Sequence, residues 1–158
     1  MGFFETAITK VVEVVASKAV ERFLLLIRFK KKYNKHNTHI LFIDDEEFPI
    51  LENLRDAGWS VVRLEDLKNI DDDNVIRSQI IFVDYKNVGK HLSKREEGIG
   101  LIKALKVKYK KKKRVILYSG HNRFNLGHDI KAADNFLSKN SESYEFIQMI
   151  ESELKEIR

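Results

Sequence analysis

The sequence has no cysteine, only one proline and only seven glycines among its 158 residues. Without thiols, neither disulfides nor a thiolate metal site can form, and a cytoplasmic location is the simplest expectation. Long apolar runs are also missing, since the longest covers residues 23–27 and a transmembrane helix needs about 20 residues. The first residues have no basic start and no small-residue cleavage site, so a secretory signal is not expected.

Charge is plentiful but only mildly one-sided. Charged residues make up 34% of the chain and the formal net charge is +5. Much of the excess lies in two runs, residues 28–35 and 106–114, and an excess of this size does not by itself indicate a nucleic-acid partner. We expect the end of the second run, residues 108–114, to be a solvated helix end that is favourably placed on the helix dipole, with binding of an anionic partner as the alternative.

The first predicted unit, residues 1–36, is an amphipathic helix followed by a basic linker. Its apolar residues recur at helical spacing. One stripe consists of Phe4, Ile8, Val11, Val15 and Ala19. Because a long helix with an apolar stripe needs a covering surface, self-association, a partner groove and docking on the second unit all remain open. Contact with an anionic membrane through the basic flank would instead place the protein at the membrane periphery.

The second predicted unit, residues 37–158, alternates strands with helices. Short apolar runs, typical of strands covered on both faces, lie at residues 39–43, 59–64, 79–83, 114–118 and 134–137. Helical patterns separate them at residues 48–57, 67–77 and 99–109. A last helix, capped by Ser141, is predicted to turn inward Tyr144, Ile147, Ile150 and Leu154.

This alternation predicts an α/β fold, a parallel sheet with helices on both faces. The flavodoxin-like, doubly wound order 2-1-3-4-5 is the commonest arrangement of five such strands. In that order, ligands bind at the carboxyl ends of strands 1 and 3, where the winding direction changes. The residues that end the strands are therefore the candidate site.

Polar residues end four of the predicted strands. They are Asp44 and Asp45 after strand 1, Asp84 after strand 3, Ser119 after strand 4 and Lys139 after strand 5. Carboxylates held close together need a compensating cation, and an oxygen-only ligand set suits Mg²⁺. A lone aspartate can act as a nucleophile toward a phosphoryl group when a metal and an ammonium neutralise the transferring oxygens. Ser119 could donate a hydrogen bond to one phosphoryl oxygen, and Lys139 could pair with another.

Residues 38–155 resemble the receiver domain of response regulators, the CheY-like phospho-acceptor module. The resemblance is carried by Ile43-Asp44-Asp45-Glu46, residues 54–61, Phe82-Val83-Asp84, residues 116–120 and residues 133–139. It implies that Asp84 is phosphorylated, with Ser119 and Lys139 supporting the reaction. It further implies a Mg²⁺ site made by Asp44, Asp45, Asp84 and the backbone carbonyl of Lys86, and a conformational switch made by Ser119 and Phe136.

The function that this resemblance implies is a stand-alone signalling protein, phosphorylated by a sensor kinase or a phosphotransfer protein, that acts on an unknown effector protein. It would not be an enzyme beyond autophosphorylation from a donor and self-dephosphorylation. The alternative is a receiver-like adaptor that is not phosphorylated and joins a larger assembly through its N-terminal helix. An aspartate-nucleophile phosphatase is less favoured, because those folds place Asp-x-Asp on the first strand and Asp44-Asp45-Glu46 offers Asp-x-Glu.

Three departures from the family pattern concern the site. Val88 stands where the family has a proline, in a loop that is several residues longer and is followed by Gly98 and Gly100 as candidate counterparts of a family glycine. Lys86 brings a cation close to Asp84, which could weaken metal binding or stabilise a phosphoryl group. Asn140 replaces the proline that usually follows the site lysine. None of these departures removes a catalytic group.

Overall fold

Five parallel strands form one sheet in the order β2-β1-β3-β4-β5. The computed structural model describes residues 14–22, 33–121 and 126–157. The strands are β1 (His39–Ile43), β2 (Ser60–Leu64), β3 (Ile80–Asp84), β4 (Arg114–Ser119) and β5 (Asn135–Ser138). The predicted doubly wound, flavodoxin-like fold and its strand order are confirmed, and the winding direction changes between β1 and β3.

The described α-helices that follow β1 lie on the two faces of the sheet, and one described helix precedes β1 in the chain. They are α1 (residues 14–22), α2 (Ile50–Asp56), α3 (Asp73–Arg77), α4 (Gly98–Tyr109) and α5 (Ser143–Leu154). Short 3₁₀ helices cover Lys35–Asn37, Lys110–Lys112 and Gly127–Ala132. No helix in the described parts of the chain combines the length and the hydropathy that a membrane crossing requires.

The chain divides into two units, Met1–Lys32 and Tyr33–Arg158. In the first unit the described helix α1 is shorter than the predicted N-terminal helix, and the remaining positions of that prediction up to residue 32 lie outside the described residues. Within α1, the side chains of Val14, Val15 and Val20 are at least half exposed. The sheet and the other described helices belong to the second unit.

Two hydrophobic clusters cover the two faces of the sheet, because successive residues of a strand point to opposite sides. On one face Ile40, Phe42 and Phe82 pack with residues of α2 and α5. On the other face Leu41 and Ile81 pack with residues of α3 and α4. Most of these side chains are fully buried, which explains why the strands read as continuous apolar runs.

Three aromatic rings organise the α5 face beneath the carboxyl edge of the sheet. The rings of Phe42 and Phe82 are stacked, with centroids 4.5 Å apart. Tyr118 meets them edge-on, with ring centroids at 5.5 Å from Phe42 and 6.0 Å from Phe82. Tyr118 directly precedes Ser119, the last residue of β4, so this packing fixes its ring close to the carboxyl edge.

The last helix begins later than the sequence predicted. Glu142, and not Ser141, is the capping residue, and it forms a reciprocal capping box with Glu145. The inward positions of α5 include Phe146, Ile150 and Leu154, whereas the side chain of Tyr144 is 60% exposed. The prediction that Tyr144 points inward was wrong, because two residues of α-helix turn the chain by about 200° away from Phe146.

The basic run at residues 108–114 is only partly solvated. Lys110–Lys112 is exposed, as expected for a helix end. Lys113 is buried, and its ammonium donates hydrogen bonds to the backbone carbonyls of Ile76 (2.8 Å) and Ser78 (2.5 Å). Burial lowers the pKa of Lys113 to about 8. The prediction of a solvated run was therefore wrong at Lys113, whose ammonium caps the carboxyl end of α3.

Candidate functional site

Three aspartates meet at the carboxyl edge of the sheet, where the ends of β1 and β3 lie side by side. Carboxylate oxygens of Asp44, Asp45 and Asp84 all lie within 4.8 Å of one another. Asp84 ends β3, and Asp44 follows β1 with its backbone N–H still bonded to the carbonyl of Leu64 on β2 at 3.0 Å. Asp44 and Asp84 are buried and Asp45 is exposed, so the cluster extends from the interior to the surface.

Lys139 joins the two buried carboxylates. Its ammonium lies 2.8 Å from Asp44 Oδ2 and 2.8 Å from Asp84 Oδ2. Burial lowers the pKa of Lys139, but the hydrogen bonds to the two carboxylates outweigh burial and raise this pKa above its ordinary value. The backbone of Lys139 is also fixed, since its N–H donates to the carbonyl of Ser119 at 2.9 Å. The lysine is therefore charged and held in place although Asn140 follows it.

Opposing interactions act on the pKa of Asp84. Burial raises the pKa of its carboxyl group above the ordinary range, the contacts with Lys139 act in the opposite direction, and the nearby Asp44 raises it further. Its Oδ1 accepts a hydrogen bond from the backbone N–H of Tyr85 at 2.7 Å. One carboxylate oxygen thus faces the backbone while the other faces the lysine.

Sequence reasoning overlooked Tyr118 as a member of this site. The Tyr118 hydroxyl donates a hydrogen bond to Asp44 Oδ2. Burial, and next the hydrogen bond to Asp44, raise the pKa of Tyr118 far above its ordinary value. A signal was available, because strand alternation puts Tyr118 in the core and a buried tyrosine hydroxyl needs a partner. The alternation did not show that this partner is Asp44.

Ser119 shares an open pocket with Asp84 but does not bond to it. The pocket has a volume of about 310 Å³ and is lined by Asp45, Glu46, Asp84, Lys86, Asn87, Ser119, Gly120, His121 and Lys139. Ser119 Oγ accepts a hydrogen bond from the backbone N–H of His121 at 3.1 Å and lies 3.3 Å from the Nδ1 atom of the same residue. His121 is a second pocket residue to which the sequence analysis gave no role.

The two remaining predicted site residues lie at the margin. Lys86 is exposed and lines the pocket, with its ammonium 5.0 Å from the ring centroid of Tyr85. Phe136 is half-buried and packs against the cluster on the α4 face. Lys139, and not Lys86, supplies the ammonium that contacts the buried carboxylates.

The long loop after Asp84 is anchored by Val88 and by a glycine. Val88 is fully buried in the cluster on the α4 face, so an apolar side chain fills the place of the expected proline. A Cβ atom on Gly98 would lie 1.9 Å from the backbone oxygen of Asp84, whereas one on Gly100 would meet the Ser93 side chain at 2.7 Å. Gly98 is therefore the residue that lets the start of α4 approach the backbone of Asp84.

The donor atoms of this site suit a divalent metal ion. The cluster offers carboxylate oxygens only, and Asp45 and Asp84 both line the open pocket, which leaves room for water ligands. Mg²⁺ and Ca²⁺ prefer this kind of donor. The fit is incomplete at Asp44, whose Oδ2 already accepts hydrogen bonds from Tyr118 and Lys139.

No protein-family model and no curated protein matches this sequence. Solved structures do match its fold, among them the receiver domain protein (CheY-like) from Methanospirillum hungatei JF-1. That match has a TM-score of 0.56 at 19% identity and covers 75% of this chain and 94% of the other. The chain has the fold of a response-regulator receiver domain.

Two further receiver-fold matches are to parts of longer proteins. NtrX from Brucella abortus, solved in complex with ADP, matches with a TM-score of 0.57 at 21% identity over 74% of this chain. The match covers 27% of NtrX, so this chain spans about a quarter of that protein. A response regulator from Burkholderia pseudomallei, solved with a phosphorylated aspartic acid, a calcium ion and citrate, has a TM-score of 0.52 at 21% identity, covering 76% of this chain and 70% of the other.

Proposed function

We propose that this chain is a receiver-type signalling protein that accepts a phosphoryl group on Asp84. The observation that carries the proposal is the position of Asp84 at an open pocket, with the Lys139 ammonium at 2.8 Å and two further aspartates within 4.8 Å. A carboxylate beside a fixed ammonium and a candidate metal site has what phosphoryl transfer needs, a nucleophile and positive charge for the transferred oxygens. The Burkholderia response regulator was solved with a phosphorylated aspartic acid, which supports the same hypothesis for this fold.

In the proposed reaction a carboxylate oxygen of Asp84 forms a bond to the phosphorus of a donor. The bond from phosphorus to the leaving group breaks, and the leaving group departs with its electron pair. Lys139, already charged, pairs with an oxygen of the transferred group. Ser119 lines the same pocket and donates its hydroxyl to another oxygen once it turns from His121.

Asp44, Asp45 and Asp84 would hold Mg²⁺, with the backbone carbonyl of Lys86 as a further oxygen ligand. When bound, the ion would supply positive charge to the phosphoryl oxygens. The same residues also explain why a cation would bind, because the ammonium of Lys139 contacts the two buried carboxylates and Asp45 adds a third.

The proposed output is a change of conformation. The transferred phosphoryl group carries nearly two negative charges where the Asp84 carboxylate carried one, and these charges attract the Ser119 hydroxyl and Lys139 and change the packing around Phe136. A sensor kinase or phosphotransfer protein would supply the phosphoryl group, and an effector protein would bind the altered surface. The ligand-dependent shift between two states is the general way in which such a local event is transmitted.

A second candidate function, a receiver-like adaptor that is not phosphorylated, is favoured by one observation. Lys139 already bridges Asp44 and Asp84 at 2.8 Å each, so the site is partly neutralised without a metal. The adaptor would join a larger assembly through the N-terminal helix, where Val14, Val15 and Val20 are exposed. In that case the pocket would keep the fold stable and would carry no signal.

The deciding experiment treats the protein with a small phosphoryl donor and Mg²⁺ and measures its intact mass. We expect one added phosphoryl group on the wild type, none on Asp84→Asn, and none without Mg²⁺. The matched control is Asp56→Asn, which removes an exposed aspartate at the end of α2 and should leave the modification intact. Amide NMR with beryllofluoride should shift Ser119 and Phe136 in the same pattern. An unmodified wild type with unshifted amides would reject phosphorylation and favour the adaptor.

A further inference from the structure

A tyrosine hydroxyl reaches the carboxylate cluster from the hydrophobic core. Tyr118 is fully buried, and its ring is fixed edge-on against Phe42 and Phe82, with centroids at 5.5 Å and 6.0 Å. Its hydroxyl donates to Asp44 Oδ2. Because the core is close-packed, the hydroxyl cannot leave Asp44 without displacing these aromatic neighbours.

The carboxylate of Asp44 is largely satisfied by donors of the protein itself. Its Oδ2 accepts from both Tyr118 and Lys139, and its Oδ1 accepts from the backbone N–H of Glu46 at 3.0 Å. An ionised carboxylate offers about four lone-pair sites, so about three are already used. The side chain is also buried, at 1% exposure, which leaves little access for the water ligands that Mg²⁺ retains.

The same hydrogen bond helps to fix Lys139. The ammonium lies 2.8 Å from each of Asp44 and Asp84, so its position depends on where those two carboxylates stand. Tyr118 holds Asp44 Oδ2 at the point that Lys139 contacts. A metal ion that bound Asp44 would have to compete with the tyrosine hydroxyl and with the lysine together.

We propose that Tyr118 is a positioning residue that holds Asp44 toward Lys139 and thereby lowers the affinity of the site for divalent cations. This inference rests on the proposed function, because the cation concerned is the one proposed to accompany phosphoryl transfer to Asp84. Removing the hydroxyl frees a lone pair on Asp44 and leaves its charge less neutralised. The expected result is tighter binding of Mg²⁺, by about tenfold, which is the size of one hydrogen bond to a charged group.

The test is a Mg²⁺ titration of the full chain followed by amide NMR shifts near Asp84, for the wild type and for Tyr118→Phe. The phenylalanine keeps the ring and removes only the hydroxyl. The matched control is Tyr109→Phe, since the Tyr109 hydroxyl donates to the carbonyl of Ile70 at 2.8 Å on the other face of the sheet. The dissociation constant for Mg²⁺ should fall about tenfold in Tyr118→Phe and stay unchanged in Tyr109→Phe.

The direction of the change separates positioning from a structural role. Loss of a merely structural hydroxyl would loosen the pocket and weaken Mg²⁺ binding, so equal or weaker binding by a folded Tyr118→Phe overturns the inference. Absence of Mg²⁺ binding in both proteins also overturns it, because the hydroxyl would then not be what limits the affinity. If Tyr118→Phe does not fold, Tyr118→Leu, which is also apolar, is titrated with the same expected result.

The outcome can be separated from that of the proposed function. Phosphoryl transfer is measured at saturating Mg²⁺, where differences in affinity no longer matter. A wild type that is phosphorylated while the two Mg²⁺ affinities are equal rejects only the role of Tyr118. A wild type that is never phosphorylated, combined with tighter Mg²⁺ binding by Tyr118→Phe, rejects only the proposed function.

Discussion

Both edges of the sheet hold buried charged side chains, but the charges are matched at one edge and unmatched at the other. At the amino edge, Arg114 contacts Asp134 at 3.0 Å and Glu153 at 2.5 Å, and Lys106 also pairs with Asp134. The side-chain amide of Asn135 donates to Glu153 at 2.9 Å. Two cations therefore face two carboxylates, and the geometry satisfies both of them.

At the carboxyl edge the balance is different. Asp44 and Asp84 share the one ammonium of Lys139, and Asp45 adds a third carboxylate that is exposed. A buried carboxylate without its own cation costs stability unless another positive charge arrives. Burial of charged side chains therefore does not mark a functional site by itself. The proposed cation site rests on a different observation, an unmatched charge beside an open pocket.

The largest expected contrast comes from removing one aspartate at each edge. Asp134→Asn takes a carboxylate from Arg114 and Lys106 and should lower the free energy of unfolding by about 3–5 kcal/mol. Asp84→Asn removes a surplus charge while Lys139 keeps Asp44, so we expect a change within about 1 kcal/mol. Urea denaturation of both variants measures the difference. Equal losses would show that the carboxylates at the two edges are equally well matched by cations.

The second contrast concerns the backbone beneath Asp84. A Cβ atom on Gly98 would overlap the backbone oxygen of Asp84 at 1.9 Å, so Gly98→Ala should force the start of α4 away from the site. Overpacking of this kind costs about 3 kcal/mol. Gly120→Ala is the matched control at the same edge, because a Cβ atom there would meet nothing within 4 Å. The free energy of unfolding and the extent of phosphorylation should both fall in Gly98→Ala and should both keep their wild-type values in Gly120→Ala.

At the amino edge, the buried ammonium of Lys113 donates hydrogen bonds to backbone carbonyls and not to a carboxylate. Its pKa is lowered to about 8 from 10.5, so between these values the unfolded chain binds more protons than the folded one. The stability contribution of Lys113 should therefore rise with pH across this window, by about 1 kcal/mol per pH unit.

The measurement that isolates this effect is the difference in unfolding free energy between the wild type and Lys113→Met at several pH values. Other lysines and tyrosines titrate in the same range but are common to both proteins. The difference should favour the wild type progressively as the pH rises from about 8 toward 10.5. A difference that does not change with pH would mean that Lys113 titrates normally in the folded protein.

Much of the fold could be predicted from the sequence because its signals are local. Asp44 follows the apolar run of β1, and Asp84 ends that of β3. Helical patterns lie between the strands in the sequence, and such crossovers predict parallel strands. Parallel strands bring their carboxyl ends to one edge, so the aspartates and Lys139 could be placed there without coordinates. The extent of the short helix α3 could not be predicted, since its residues lack a clear period.

The errors have a different origin, in partners that are distant along the chain. The bond between Tyr118 and Asp44 spans 74 residues, and that between Lys113 and Ile76 spans 37. A lysine in a run of lysines is predicted to be solvated unless the buried carbonyls that it contacts are known. The helical spacing of Tyr144 with Ile147, Ile150 and Leu154 predicts an inward position, but the buried face of α5 is centred on Phe146, Ile150 and Leu154 and leaves Tyr144 exposed.

The smallest expected effect is the stabilisation that Mg²⁺ itself confers. A ligand that binds only the folded state, present at ten times its dissociation constant, should add about 1.4 kcal/mol to the free energy of unfolding. The wild type and Asp134→Asn should gain this increment equally, although Asp134→Asn starts from a much lower stability, because the amino edge takes no part in binding. Asp84→Asn should gain clearly less, since it lacks one proposed ligand. Thermal unfolding with and without Mg²⁺ measures all three, and an equal gain in Asp84→Asn would show that the unmatched charge at the carboxyl edge is not what the ion neutralises.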